Sequence, residues 1–167
     1  MEASTSEAST SEASTSDADA EELPLGVLLF IPSRAMEAAT MEGLARAGYT
    51  DMTVAQARIA AQIERGGSRI TRLAAAAQVT KQTAGFLVKQ LEQAGYVERV
   101  PDPTDGRAQL VKVAARGHAA RAEVVPALEE VEAQWTAHIG PERMAQLRET
   151  LKMLREITDP FLENHTS

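Results

Sequence analysis

The chain has 167 residues, enough for one domain with a core of its own. It holds 24 acidic residues against 17 basic ones, a net charge of −7, and no cysteine. Disulfides, thiolate metal sites and cysteine redox switches are therefore excluded. No run approaches the ~18 consecutive apolar residues of a membrane span. The residues after Met1 bring acids and no early basic group, unlike a signal peptide, so a cytoplasmic protein is expected.

Glu2 to Ser16 is Glu-Ala-Ser-Thr-Ser written three times, and Asp17 to Glu22 adds further acid. After Met1 nothing apolar and larger than alanine occurs before Leu23. Residues 1–22 therefore read as a disordered acidic tail. Such a tail either competes with DNA for a basic surface or acts as a solubilising extension. Its seven acids carry the whole charge imbalance: taken from the 24, they leave 17, which equals the number of bases. The rest is uneven. Arg58 to Arg121 has 11 Lys and Arg against 5 acids, and Ala122 to the end has 4 against 9. A basic middle and an acidic C-terminal part suit one surface for phosphates and another for a protein partner.

Residues 23–167 read as a single domain. Leu25 to Ala47 is a first helix, with Pro32 marking an early break or kink. Thr53 can cap a second, from Val54 to about Glu64, with Val54, Ile59 and Ile63 as apolar contacts and Gly66-Gly67 as its stop. Thr71 is read as the cap of a third, ending near Ala77. Thr80 can cap a fourth, in which Ala84, Leu87, Val88 and Leu91 fall at i, i+3, i+4 and i+7, and Gly95 can end it. The opposite face carries Lys81, Gln82, Thr83, Gly85, Phe86 and Lys89, basic and amide-bearing, with no acid until Glu92. Two helices joined by a short turn are the helix-turn-helix signature. Gln can pair with adenine edges, a Thr methyl or a Phe ring can touch a thymine methyl, and Lys serves phosphates.

Tyr96 to Val100 and Ala108 to Val113 read as a hairpin, or wing, around the turn formers from Pro101 to Gly106. Arg107 sits where the tip meets the second strand. Asp105 can hold its guanidinium in one orientation, and a narrow minor groove attracts Arg. Arg69 and Thr71, at the start of the third helix, complete the expected DNA-contacting set. Ala115 to about Ile139 is a long helix with Pro126 expected to bend it. Gly140-Pro141 starts a last one. Its Met144, Leu147, Leu151 and Leu154 form a heptad-like seam, either monomer core or, as preferred here, a dimer interface. Trp135 is read as part of the same dimer core.

The Thr-Lys-Gln-Thr start of the fourth helix, Leu-Glu-Gln-Ala-Gly-Tyr-Val-Glu-Arg, and Asp-Pro-Thr-Asp-Gly-Arg followed by Gly117 resemble the MarR family of bacterial and archaeal winged-helix transcription regulators. The resemblance spans about Thr53 to Gly117. It implies a mainly α winged helix-turn-helix fold with a small β-hairpin wing. Residues 53–114 would form the DNA-binding lobe, and 23–50 and 115–160 would interlock across a two-fold axis as dimerisation helices. It also implies a homodimer on double-stranded DNA with a pseudo-palindromic operator, acting as a repressor released by a small ligand. The pocket would lie between the two lobes, with Arg34, Arg46, Tyr49 and Arg58 as candidates for holding an anionic aromatic effector. Two positions depart from the family pattern: Ala114 stands where a capping Thr is common, and Phe86 where Arg is common. The alternative is a winged-helix protein-interaction module without specific DNA binding. The three His, at 118, 138 and 165, are far apart and lack partners, so no catalytic residue, metal or cofactor is expected.

Overall fold

The computed structural model describes residues 22–160. The acidic repeat and His165 lie outside the described residues. The elements run α1 (Leu25–Arg46), α2 (Val54–Ala61), α3 (Ile70–Ala76), α4 (Lys81–Gln93), β1 (Val97–Asp102), β2 (Asp105–Val113), α5 (Ala115–Ile139) and α6 (Pro141–Thr158). No described helix is long and apolar enough to cross a membrane.

The core lies where α2, α3 and α4 meet the base of the hairpin. Ile59, Leu73, Leu91, Val88, Val111 and Tyr96 are its most deeply buried large side chains. The apolar stripe of α4 is placed as its spacing predicts, with Ala84, Leu87, Val88 and Leu91 all buried. The chain leaves α4 through Gly95 at φ +77°, a left-handed conformation that costs glycine little. That turn drops Tyr96 into the core and starts the hairpin.

The two strands pair antiparallel from Val97↔Val113 to Pro101↔Gln109, with an irregularity before Asp102↔Asp105. Only Pro103 and Thr104 form the turn. The expected six-residue tip is thus shorter, because Pro101, Asp102, Asp105 and Gly106 are drawn into the strands. Ser68 adds an isolated bridge on the other edge of β2: its N–H donates to Val111 O and its carbonyl accepts from Val111 N–H, both at 2.9 Å.

Two helix boundaries differ from expectation. α2 stops at Ala61 rather than near Glu64, because the segment after it turns to bring Ser68 onto β2, and the Ser68 hydroxyl accepts the Glu64 N–H at 3.1 Å. α3 is capped at Arg69, without a side-chain cap bond, and Thr71 lies inside it. The Ser68 bridge fixes where the backbone can begin to coil. Val54, expected to be buried, is exposed at the start of α2. Pro32 and Pro126 lie inside α1 and α5, which continue through them as helix.

α1 packs along α5 through small residues. A Cβ on Gly43 would meet the Ala127 Cβ at 3.1 Å, and Ala39, Ala120 and Ala127 are buried. α6 buries nothing. The seam of α6 is therefore not monomer core.

Candidate nucleic-acid interface

The Thr80 hydroxyl accepts the Thr83 N–H at 3.1 Å and lies 2.8 Å from the Thr83 hydroxyl. This cap starts α4 with Lys81, Gln82 and Thr83 all exposed. Lys89 is exposed about two turns on, and Phe86 between them is 61% exposed. A phenylalanine that open on a helix whose other face fills the core is available for contact rather than for packing.

α4 is held from behind. Thr53 and Gln56 form a capping box at the start of α2, with Thr53 N–H donating to Gln56 Oε1 at 2.7 Å. The buried Gln56 then donates through Nε2 to Gln90 Oε1 at 3.1 Å. The capping box orients the amide, and the amide orients α4.

Between the start of α3, the start of α4 and the hairpin lies a groove of ≈570 Å³ lined by Arg69, Ile70, Thr71, Lys81, Arg99, Pro101, Gly106, Arg107, Ala108 and Gln109. It brings together Arg69, Thr71, Lys81 and Arg107 from the expected set. Arg99 and Gln109 were not anticipated. Strand alternation is the signal that could have found them. Gln109 lies across from Pro101, two residues beyond Arg99, so all three share a face. The Arg99 guanidinium is paired with Glu92 at 3.2 Å.

The wing tip is organised differently from the sequence reading. Asp105 does not hold the Arg107 guanidinium. Its Oδ1 accepts the Arg107 backbone N–H at 3.1 Å, and its Oδ2 faces Arg69 at 3.6 Å. Asp102, also not anticipated, is only 6% exposed. It accepts from Thr104 N–H at 2.8 Å, from the Thr104 hydroxyl at 2.7 Å and from Arg69 Nε at 2.7 Å. The Thr104 hydroxyl and amide, with Arg69, hold its carboxyl well down, at about 2. The Arg107 side chain makes no ion pair among the described residues and stands exposed.

A second polar cluster joins the lobe to α5. Tyr96 donates to Asp51 Oδ1 at 2.5 Å, and Arg116 donates to the same oxygen at 3.0 Å. The Arg116 guanidinium also donates to the Ala94 carbonyl and lies over the Tyr96 ring at 4.3 Å. Burial, with the bond to Asp51, pushes the Tyr96 phenol up to about 12. The Tyr96 hydroxyl, with Arg116, holds Asp51 below the usual carboxylate range.

The four residues considered for an effector do not converge. Arg34 is exposed on α1, and Arg46 reaches Glu130 at 4.0 Å. Arg58 is paired with Glu37, whose carboxyl it holds down. Tyr49 packs at a tilt on Tyr96, centroids 6.2 Å apart. A cavity of ≈400 Å³ does lie between α1, α2, the hairpin base and α5, but none of the four lines it. Its walls are mainly apolar, among them Leu44, Met52, Ile63, Val113 and Val124, with Arg121 as the one cation.

Two helices joined by a tight turn, followed by a hairpin beside the second, define a winged helix-turn-helix domain. Residues 50–108 match the MarR family model. The fold extends the likeness. MarR from E. coli in its apo form is 24% identical, with 80% of this chain and 98% of that one covered, at TM-score 0.65. A further MarR crystal structure is 26% identical, with 80% and 96% covered, at 0.66. A transcriptional regulator from Thermotoga maritima is 27% identical, with 86% and 98% covered, at 0.57. A comparison with curated protein sequences finds no match. The chain carries a winged helix-turn-helix domain similar to those of the MarR structures, as the resemblance in its sequence implied.

Proposed function

We propose that the chain is a homodimeric, sequence-specific double-stranded DNA-binding transcription regulator, acting as a repressor released by a small ligand. One observation carries the reading. The outward face of α4 is exposed, basic and amide-bearing, and it adjoins a groove lined by Arg69, Lys81, Arg99 and Arg107. In this reading Lys81, Gln82, Thr83, Phe86 and Lys89 enter the major groove, and Arg107 enters the flanking minor groove. Arg69 and Thr71 lie at the edge of that surface, and Asp105 supports Arg107 through its backbone.

The dimer is supported by apolar surface with no partner in the monomer. Leu28, Leu29, Phe30 and Ile31 on α1 and Leu147, Leu151, Met153, Leu154 and Ile157 on α6 are exposed, Ile157 at 84%. So much exposed apolar surface on two helices calls for a partner, and a second copy closing a two-fold is the simplest one. Residues 53–114 then act as the DNA-binding lobe, and 23–50 and 115–160 as dimerisation helices. The ≈400 Å³ cavity is large enough for a small effector. An anionic aromatic would meet Arg121 there, not Arg34, Arg46, Tyr49 or Arg58. No metal, cofactor or catalytic group enters the reading.

A mobility-shift assay on the upstream region of the chain's own gene, repeated over a salt series, tests it. Several cations per protomer face the duplex, so a dimer should give a log–log slope steeper than about −4. A flat salt response would contradict the proposal, and would favour a winged-helix module that binds protein instead.

A further inference from the structure

Arg69 lies in the basic groove, its side chain still 45% exposed, with its guanidinium turned onto the wing tip. Nε and Nη2 both reach Asp102 Oδ2, at 2.7 and 2.6 Å, and Nη2 also faces Asp105 Oδ2 at 3.6 Å. Asp102 and Asp105 are the two residues that pair across the Pro103-Thr104 turn. One guanidinium therefore grips both ends of the hairpin turn. Asp105 passes the constraint on, since its Oδ1 accepts the Arg107 backbone N–H at 3.1 Å. Asp102 is almost wholly buried, and its second oxygen is taken up by the Thr104 amide and hydroxyl.

We infer that Arg69 is a positioning residue for the wing: through Asp102 and Asp105 it fixes where the exposed Arg107 side chain is presented to DNA. This rests on the DNA-binding reading above. A phosphate drawing Arg69 away would strip two charge-assisted bonds from a buried carboxylate and leave it unpaired, which is unfavourable. The clasp also spans the one irregular step of the hairpin, between Pro101 and Asp102, where the strand ladder alone specifies the tip least. A two-residue loop carried on a two-stranded ribbon needs such an anchor.

The two roles for Arg69 predict opposite signs for one substitution. If Arg69 served phosphates, Asp102→Asn would free it and remove a nearby negative charge, and DNA binding would tighten. If Arg69 positions the wing, the same change loosens the tip and binding weakens. Arg69→Lys gives a second, independent arm. It keeps the cation but loses the planar fork that spans Asp102 and Asp105.

The experiment uses the full chain and duplexes selected for binding to it, flanked by A·T or G·C steps. Dissociation constants are read by fluorescence anisotropy over a salt series, with thermal melting alongside. Both variants are expected to bind A·T-flanked duplexes about tenfold more weakly, the scale of one misplaced charged contact per wing, and G·C-flanked ones with a smaller loss. Their salt slopes should fall by at most about one per wing, the change expected for losing Arg107 itself, since no other cation is displaced. Asp102→Asn binding as tightly as the parent or tighter, Arg69→Lys binding like the parent, or equal losses on both flanks would overturn the inference. Should Asp102→Asn fail to fold, Arg69→Lys decides by the same outcomes. A parent chain that binds no duplex would instead overturn the DNA-binding reading.

Discussion

Gly117→Ala places one methyl group at the junction of the wing and α5. A Cβ there would lie 2.2 Å from the Tyr96 carbonyl oxygen and 2.8 Å from Val113 Cγ1. The first neighbour is backbone, which cannot rotate aside, so α5 must move off the hairpin base. That movement strains the 3.0 Å bond from Ala114 N–H to the same Tyr96 carbonyl. Ala114 offers no side-chain cap to compensate. Two effects compete. Alanine in place of glycine in a helix is worth about 1 kcal/mol. Overpacking costs about 1–3 kcal/mol, here near the upper end because the clash is with backbone. Weakening a buried backbone bond adds about 1 kcal/mol. The clash wins, and Gly117→Ala should be destabilised by about 2–3 kcal/mol. For a chain of this size that lowers Tm by about 4–12 °C. Calorimetry or thermal melting by circular dichroism reads it. An unchanged or raised Tm would mean that α5 and the wing do not approach as closely as described.

Phe86→Ala should leave stability within about 0.5 kcal/mol of the parent, since the ring is exposed, and should lose about 1–2 kcal/mol of binding at one base position, seen by testing each base in turn. A uniform loss would point away from base contact. Arg107→Ala should weaken binding most on A·T-rich flanks and reduce the salt slope by about one per wing; equal losses on both flanks would mean phosphate contact alone. Stability should fall at both ends of the pH scale. Asp51 and Asp102 are held below the ordinary value of about 3.9, so their contribution is present above that pH and is lost as pH falls toward the folded value, about 2 for Asp102. Tyr96 is raised to about 12, so its contribution holds below about 10 and is lost as pH rises through 12. Melting curves of Tyr96→Phe should show a flatter alkaline limb than the parent, and an unchanged limb would remove Tyr96 from the account.

The parts legible in the sequence are those set by short-range chemistry. Thr80, the apolar positions from Ala84 to Leu91 and Gly95 determine α4 from within thirteen consecutive residues and their caps, and the structure places each as read. The ends of α2 and α3 were misread because Ser68 pairs with Val111, 43 residues away in sequence. No local propensity encodes that bridge. The wing tip was over-assigned to turn because Pro101 and Gly106 are turn formers in isolation, whereas strand pairing claims them. The polar clusters were invisible for the same reason. Arg69 meets Asp102 across 33 positions, and Asp51 meets Tyr96 across 45 and Arg116 across 65. That the seam of α6 is not monomer core needed burial, which spacing alone does not supply.

In the proposed function this chain reads DNA as a two-fold pair of winged helices. Selection of bound duplexes from a random pool by the full chain tests it most directly. The expected result is an enriched pseudo-palindrome whose half-sites are about 10 base pairs apart, one turn of the double helix. No enrichment, or a single asymmetric site without a repeated half, would contradict it.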